Sequence, residues 1–236
     1  MIQKEVKRPF VFLCSGMSLD GKLANFERKQ TEIATNDDRE MMYEGRIRSD
    51  AIMVGGRTLF LDDPGLTVKT EERQKIRVEL GKTKDPFKVA IVTDVTDLQP
   101  TGDFFQRGDA KKIIFTTEKS PESKIKELKN YCEIYVYGKQ RVNLKQALSK
   151  LYELGVESLM VEGGGELIFS LLKENLVDEI NLKIGNLIIG GKNSPTFCDG
   201  EGFTQKTARE VELIDLVRKK NYLILKYSVR QNVKGQ

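Results

Sequence analysis

The sequence predicts an α/β fold whose sheet is mainly parallel and is closed at its C-terminal end by an antiparallel hairpin. Three observations lead there. Short apolar runs of strand composition recur at residues 10–14, 50–54, 87–93, 113–116, 134–137 and 158–161. Several are separated by stretches with helical spacing, the clearest being Leu144, Ala147, Leu148, Leu151 and Leu154. The chain then ends on two β-rich runs, 211–217 and 222–229, joined by Arg218-Lys219-Lys220-Asn221, which read as a hairpin with a solvated turn.

Residues 10–14 are continuously apolar, as suits a strand buried on both faces. Lys4, Lys7 and Arg8 precede it, but Ser15, Gly16 and Ser18 interrupt the run and no small-x-small cleavage site follows, so a strand and not a secretory signal is expected. Residues 18–22 turn away and 25–32 form a polar surface loop. Thr35 or Asn36 caps a helix with Asp37 and Asp38 at its positive end and Arg46 and Arg48 at its negative end. A second strand runs into Gly55-Gly56 and a polar cluster: Arg57 offers a fork for an anion, Thr58 a hydroxyl and Asp62 an acceptor. Open α/β sheets place ligands at such strand ends. The alternative for Asp62-Asp63-Pro64-Gly65 is a plain turn with self-bonding Asp side chains.

Residues 69–85 are mostly charged and read as an exposed excursion. The third strand ends at Thr93-Asp94, and a lysine-rich helix at about 121–130 separates the fourth and fifth strands. Asn143 caps the next helix and Gly155 ends it. Strand 158–161 then delivers Glu162-Gly163-Gly164-Gly165-Glu166, followed at once by the helical pattern Leu167, Ile168, Leu171, Leu172 and Leu176. Bare N–H groups at such a helix start suit a phosphate or pyrophosphate, the alternative being an ordinary glycine turn. Strands around 180–189 precede the hairpin.

Composition narrows the chemistry. The 236 residues carry a net charge of +4, with basic residues interleaved with acidic ones, so nucleic acid is not an expected partner. Three well-separated cysteines argue for a reducing compartment, and no apolar segment approaches membrane-spanning length, so the cytoplasm is expected and no membrane partner. The absence of histidine removes every His-based triad and His-ligated zinc site, and the cysteine spacing offers no other metal site. Gly163-x-Gly165 lacks the third glycine of a Rossmann fingerprint, and Gly190-Gly191-Lys192-Asn193 lacks the first glycine and the hydroxyl of a phosphate loop of nucleoside triphosphatases. Without a linker of biased composition, one domain spanning 1–236 is expected.

Five motifs in order carry a family resemblance: Ser18-Leu19-Asp20-Gly21-Lys22, residues 51–68, Leu159-Met160-Val161-Glu162-Gly163-Gly164-Gly165, Leu176-Val177-Asp178-Glu179-Ile180 and residues 190–202. The chain resembles the reductases of riboflavin biosynthesis, in particular the stand-alone archaeal and fungal type, over about residues 10–229. The resemblance implies a dihydrofolate-reductase-like three-layer sandwich, NADPH as cofactor and usually a homodimer. It implies reduction of the ribosyl group of a phosphorylated ribosylaminopyrimidine to ribityl, a related carbonyl or pterin-like substrate being the alternative. Carried over by position, Thr58, Asp62, Thr93, Asp94, Gly163, Gly164, Gly165 and Glu166 are cofactor contacts. Gln30, Arg46, Leu66, Lys69 and Glu162 are substrate contacts, and Lys22 and Glu162 are catalytic candidates. The family's substrate-contacting serine has no counterpart in Lys29-Gln30-Thr31-Glu32, so Gln30 or Thr31 takes its place.

Overall fold

A computed structural model describes residues 7–28, 33 and 39–230. Among them, nine strands and seven helices make a mixed α/β fold that is mostly parallel and ends in an antiparallel hairpin. The chain divides into two compact units, Met1–Phe10 with Arg46–Met160, and Val11–Gly45 with Val161–Gln236.

In the first unit, β2 (Ala51–Gly55), β3 (Phe87–Ile91), β4 (Lys112–Thr116) and β5 (Glu133–Val136) pair in parallel in that order. Ala51 to Val54 and Val89, Ala90, Ile113 and Ile114 are at most 1% exposed, which explains why these strands read as unbroken apolar runs. Between them lie α2 (Gly56–Asp62), α3 (Glu71–Glu79), α4 (Asp103–Gln106) and α5 (Glu122–Leu128), and α6 (Leu144–Glu153) follows β5. Asn143 caps α6 as expected, its side chain accepting from the Gln146 N–H at 3.1 Å.

The polar cluster after Gly55 lies on a helix, α2, that the sequence reading did not anticipate. Residues 69–85 are mostly exposed, as expected, but they are not without structure: Thr70 caps α3, and Arg77 on it is wholly buried. Arg77 Nη1 donates to the carbonyls of Arg46 at 2.6 Å, Ile47 at 3.0 Å and Ser49 at 2.7 Å, closing the last turn of α1 (Glu40–Arg48) with a cation. Helix α4 has no counterpart in the sequence reading.

In the second unit, β1 (Phe10–Met17) pairs in parallel with β7 (Glu179–Ile184), which pairs antiparallel with β9 (Leu223–Val229), itself antiparallel to β8 (Val211–Arg218). The residues expected to continue the strand to 189 leave it after Ile184. β6 (Ser158–Gly163) runs from the first unit into the second and hands the chain to α7 (Gly165–Lys173). The N-cap expected at Thr35 or Asn36, with Asp37 and Asp38, lies outside the described residues, but α1 does end on Arg46 and Arg48.

Asp50, just before β2, binds the segments around it. Its carboxylate meets Lys82 Nζ at 2.5 Å and accepts from the Ser158 N–H and hydroxyl, both at 2.8 Å, and the Glu157 N–H at 3.1 Å. Burial alone would raise its pKa, but the Lys82 and Ser158 hydrogen bonds outweigh it and hold the carboxyl below its ordinary value. A carboxyl so lowered stabilises the fold above its unfolded pKa and loses that contribution as pH falls through its folded value. Asp50→Asn is expected to cost about 1–3 kcal/mol at neutral pH, with the difference from wild type shrinking below about pH 4, measured by urea unfolding across pH.

Candidate functional site

In the first unit the candidate residues follow the C-terminal ends of β2 and β3, which are register partners at Gly55 and Ile91. Gly56 begins α2 tight against the neighbouring strand: a Cβ there would lie 3.3 Å from the Ile91 carbonyl. Thr58 is half-buried, with no partner for its hydroxyl among the described residues. Asp62 ends α2 equally unpartnered, and desolvation raises its carboxyl pKa. Asp94 is exposed and turns on itself, Oδ1 accepting from the Thr96 N–H at 2.9 Å and hydroxyl at 2.5 Å, the contacts that lower its pKa. The Thr93 carbonyl accepts from the Thr117 hydroxyl at 2.7 Å, which ties the end of β3 to that of β4.

The alternative reading of Asp62-Asp63-Pro64-Gly65 as self-bonding is settled residue by residue. The Asp63 carboxylate reaches across the sequence to the N–H groups of Asp103 at 2.6 Å and Phe104 at 3.1 Å, capping α4, and Asp62 stays out of that network. The loop beyond is clamped from another side, where the Thr67 carbonyl accepts from Arg46 Nη1 at 2.7 Å and the Val68 N–H donates to Asp85 at 2.8 Å. Arg46 is itself buried, Leu66 is 1% exposed with its side chain in the core, and Lys69 is exposed.

In the second unit, Gly163 and Gly164 take left-handed φ of 134° and 59°, which favours glycine, and Gly164 N-caps α7. Gly163 has nothing within 4 Å of where a Cβ would stand, an open cradle beside the helix start. Glu166 lies exposed in the first turn, and Glu162 is half-buried at the end of β6. Gly165 is closed in: a Cβ would lie 2.5 Å from the Thr196 carbonyl and 2.7 Å from Asp199 Oδ2.

Thr196 links this loop to Lys22, with which it forms an isolated antiparallel bridge. Lys22 is half-buried, its N–H donating to Ser18 Oγ at 2.9 Å and its Nζ reaching the Ser194 carbonyl at 3.4 Å. Asp20 fastens the same turn, accepting from the N–H groups of Ile189 at 3.0 Å and Gly190 at 2.7 Å. Ser18, Ile189 and Gly190 lower its pKa to about 2. Segment 190–199 thus positions both Lys22 and the glycine loop, a role that its motif alone did not disclose. Gln30 lies outside the described residues.

The open space at Gly163, beside the positive end of α7, leaves room for a phosphate group of a dinucleotide, whereas Gly165 is closed off by Thr196 and Asp199. Among the described residues no cluster of His, Cys, Asp and Glu could hold a metal ion, and no helix is long and apolar enough to cross a membrane.

Residues 9–222 match the family model described as the RibD C-terminal domain. Over 199 residues the chain is 43% identical to the 2,5-diamino-6-ribosylamino-4(3H)-pyrimidinone 5′-phosphate reductase of Archaeoglobus fulgidus, covering 84% of this chain and 90% of that one. It is 35% identical to the protein of the same name in Methanothermobacter thermautotrophicus, covering 94% and 99%. The fold is similar to the crystal structure of a pyrimidine reductase-like protein from Corynebacterium diphtheriae, with TM-score 0.81, 20% identity and coverage of 95% and 93%.

The two ends of the glycine loop predict different outcomes on substitution. Gly165→Ala forces a methyl onto a backbone carbonyl that cannot retreat, and is expected to cost about 1–3 kcal/mol, read as a lowered midpoint in thermal unfolding. Gly163→Ala meets no atom and is expected to cost only its backbone strain, about 1–2 kcal/mol.

Proposed function

The chain belongs to the RibD C-terminal domain family, and from that membership we propose that it reduces the ribosyl group of 2,5-diamino-6-ribosylamino-4(3H)-pyrimidinone 5′-phosphate to ribityl in riboflavin biosynthesis. The observation that carries this reading is the 43% identity to a reductase of that name over 84% of this chain and 90% of that one. The whole chain acts as one reductase domain in the cytoplasm, on a phosphorylated small molecule and with NADPH as cofactor.

In the first unit we assign Thr58, Asp62, Thr93 and Asp94 to the cofactor, and Arg46, Leu66 and Lys69 to the substrate. In the second, Gly163, Gly164, Gly165 and Glu166 serve the cofactor, and Glu162 and Lys22 the substrate's ribose, with Gln30 a further substrate contact. When bound, the nicotinamide supplies a hydride for the ribose C1′. A ribosylamine opens to an imine only if a proton moves onto the ring oxygen, and Lys22 is the chain's candidate donor, with Glu162 orienting the hydroxyls. Arg46 and Lys69 supply positive charge for the phosphate, and Asp62, exposed at the end of α2 and without a partner among the described residues, offers an acceptor. Much of the rate comes from holding two reactants in register.

We further propose a homodimer. β8 is an edge strand within its unit and exposes Val211, Leu213, Ile214, Leu216 and Val217, an apolar row of the kind that a second copy would cover.

Loss of NADPH absorbance with the diaminopyrimidinone phosphate, run beside its deaminated counterpart, tests the activity: oxidation is expected with the first substrate and little with the second. Lys69→Ala should raise the KM for substrate about tenfold and leave that for NADPH unchanged. In sedimentation, Leu213→Lys combined with Leu216→Lys should convert a dimer into a folded monomer.

A further inference from the structure

Of the groups that hold the loop after α2, Asp63, Asp85 and Lys88 are not themselves candidate contacts, whereas Arg46 is. Asp63, Leu66 and Lys69 take left-handed φ of 38°, 46° and 66°, a conformation that non-glycine residues keep only where their surroundings over-determine it. Part of that support is α4, four residues long and too short to be stable alone. The Asp63 carboxylate caps its N-terminus through Asp103 and Phe104. At its other end Lys88, wholly buried on β3, donates from Nζ to the carbonyls of Phe104 at 2.9 Å and Arg107, with Asp103 at 3.4 Å. Gly65 rests on the Arg107 side chain, and Gly102 rests on the Asp63 carboxylate. One polar path therefore runs from the central part of β3 through α4 into the loop.

We propose that Asp63 and Lys88 are positioning residues for the reaction: by capping opposite ends of α4 they fix the left-handed loop 63–69 and hence the placement of Leu66 and Lys69 against the phosphorylated substrate. The proposal rests on the assignment of those two residues to substrate made above. Asp85 and Arg46 hold the loop independently at Val68 and Thr67, so removing the strut loosens the loop without releasing it.

Three variants probe the Asp63 end. Asp63→Ala removes both acceptors. Asp63→Asn keeps the shape and the tolerance for left-handed φ but presents an NH2 group to a backbone donor. Gly102→Ala leaves Asp63 unchanged yet puts a Cβ within 2.6 Å of its carboxyl carbon. Lys88→Met probes the other end. For each we expect the KM for substrate to rise about fivefold, the scale of a lost helix cap, with kcat within about twofold and the KM for NADPH less affected. Amide hydrogen exchange at residues 65–69 should quicken by a similar factor while β2 and β4 keep their protection. If the melting temperature falls but the substrate KM stays at the wild-type value, the residues are merely structural and the proposal is overturned. Should Asp63→Ala fail to fold, Asp63→Asn and Gly102→Ala decide. Lys69→Ala separates the two readings: an unchanged substrate KM there sinks the loop assignment and the proposal with it. A raised KM there, with the Asp63 variants at wild-type values, sinks the proposal alone.

Discussion

A parallel strand covered on both faces has no room for an unsatisfied polar group, and this constraint decides where the chemistry of the chain lies. The interiors of β1, β2, β4 and β6 are almost wholly apolar and buried. Polar residues gather directly after three of these strands and after β3: Ser18 to Lys22 after β1, Thr58 and Asp62 after β2, Thr93 and Asp94 after β3, and Glu162 with its glycines at the end of β6. Two buried cations of the first unit follow the same constraint in part. Lys88 and, through Nη1, Arg77 are tolerated inside the first unit because they point donors at carbonyls that a helix end leaves without partners, although Arg77 Nη2 is left buried without a hydrogen bond.

Carboxylates divide by the same accounting. Asp20, Asp50, Asp63, Asp85 and Asp178 each accept backbone N–H groups from distant or turning segments, and so act as splices between parts of the chain. Asp62, adjacent to one of these splices, takes no such partner, and its pKa moves up where those of Asp20 and Asp50 move down. Two neighbouring residues of one type thus hold opposite roles, one spent on structure and one left available.

Legibility in the sequence follows from how local each feature is. The buried run of β1, the Asn143 cap, the glycine loop before α7 and the closing hairpin depend on patterns within a few residues, and the structure has them all. Residues 69–85 are charged and mostly exposed, as their local composition says, but the burial of Arg77 among them was hidden because its carbonyl partners lie some thirty positions earlier in the chain. Helix α4 is too short to show a period and exists only through its caps. Asp62 and Asp63 could not be told apart in advance, since the difference lies in which of them faces Asp103 and Phe104. The links from Lys22 through Thr196 to Gly165 were hidden similarly: each residue sits in a recognisable motif, but their adjacency is tertiary.

A chain without histidine must manage proton movement through groups that are placed well, because it has no imidazole to supply a proton donor and acceptor in one ring. The second unit invests accordingly in placement. The backbone of Lys22 is held by Ser18 and by its bridge to Thr196, its turn is fastened through Asp20 to Ile189 and Gly190, and Thr196 in turn abuts Gly165. One continuous set of backbone and side-chain contacts therefore fixes the backbone of Lys22 and a helix N-terminus within the same frame. Hydride transfer to an opened ribosylamine asks for that kind of frame, since the reaction gains more from alignment of two bound reactants than from a strong acid or base.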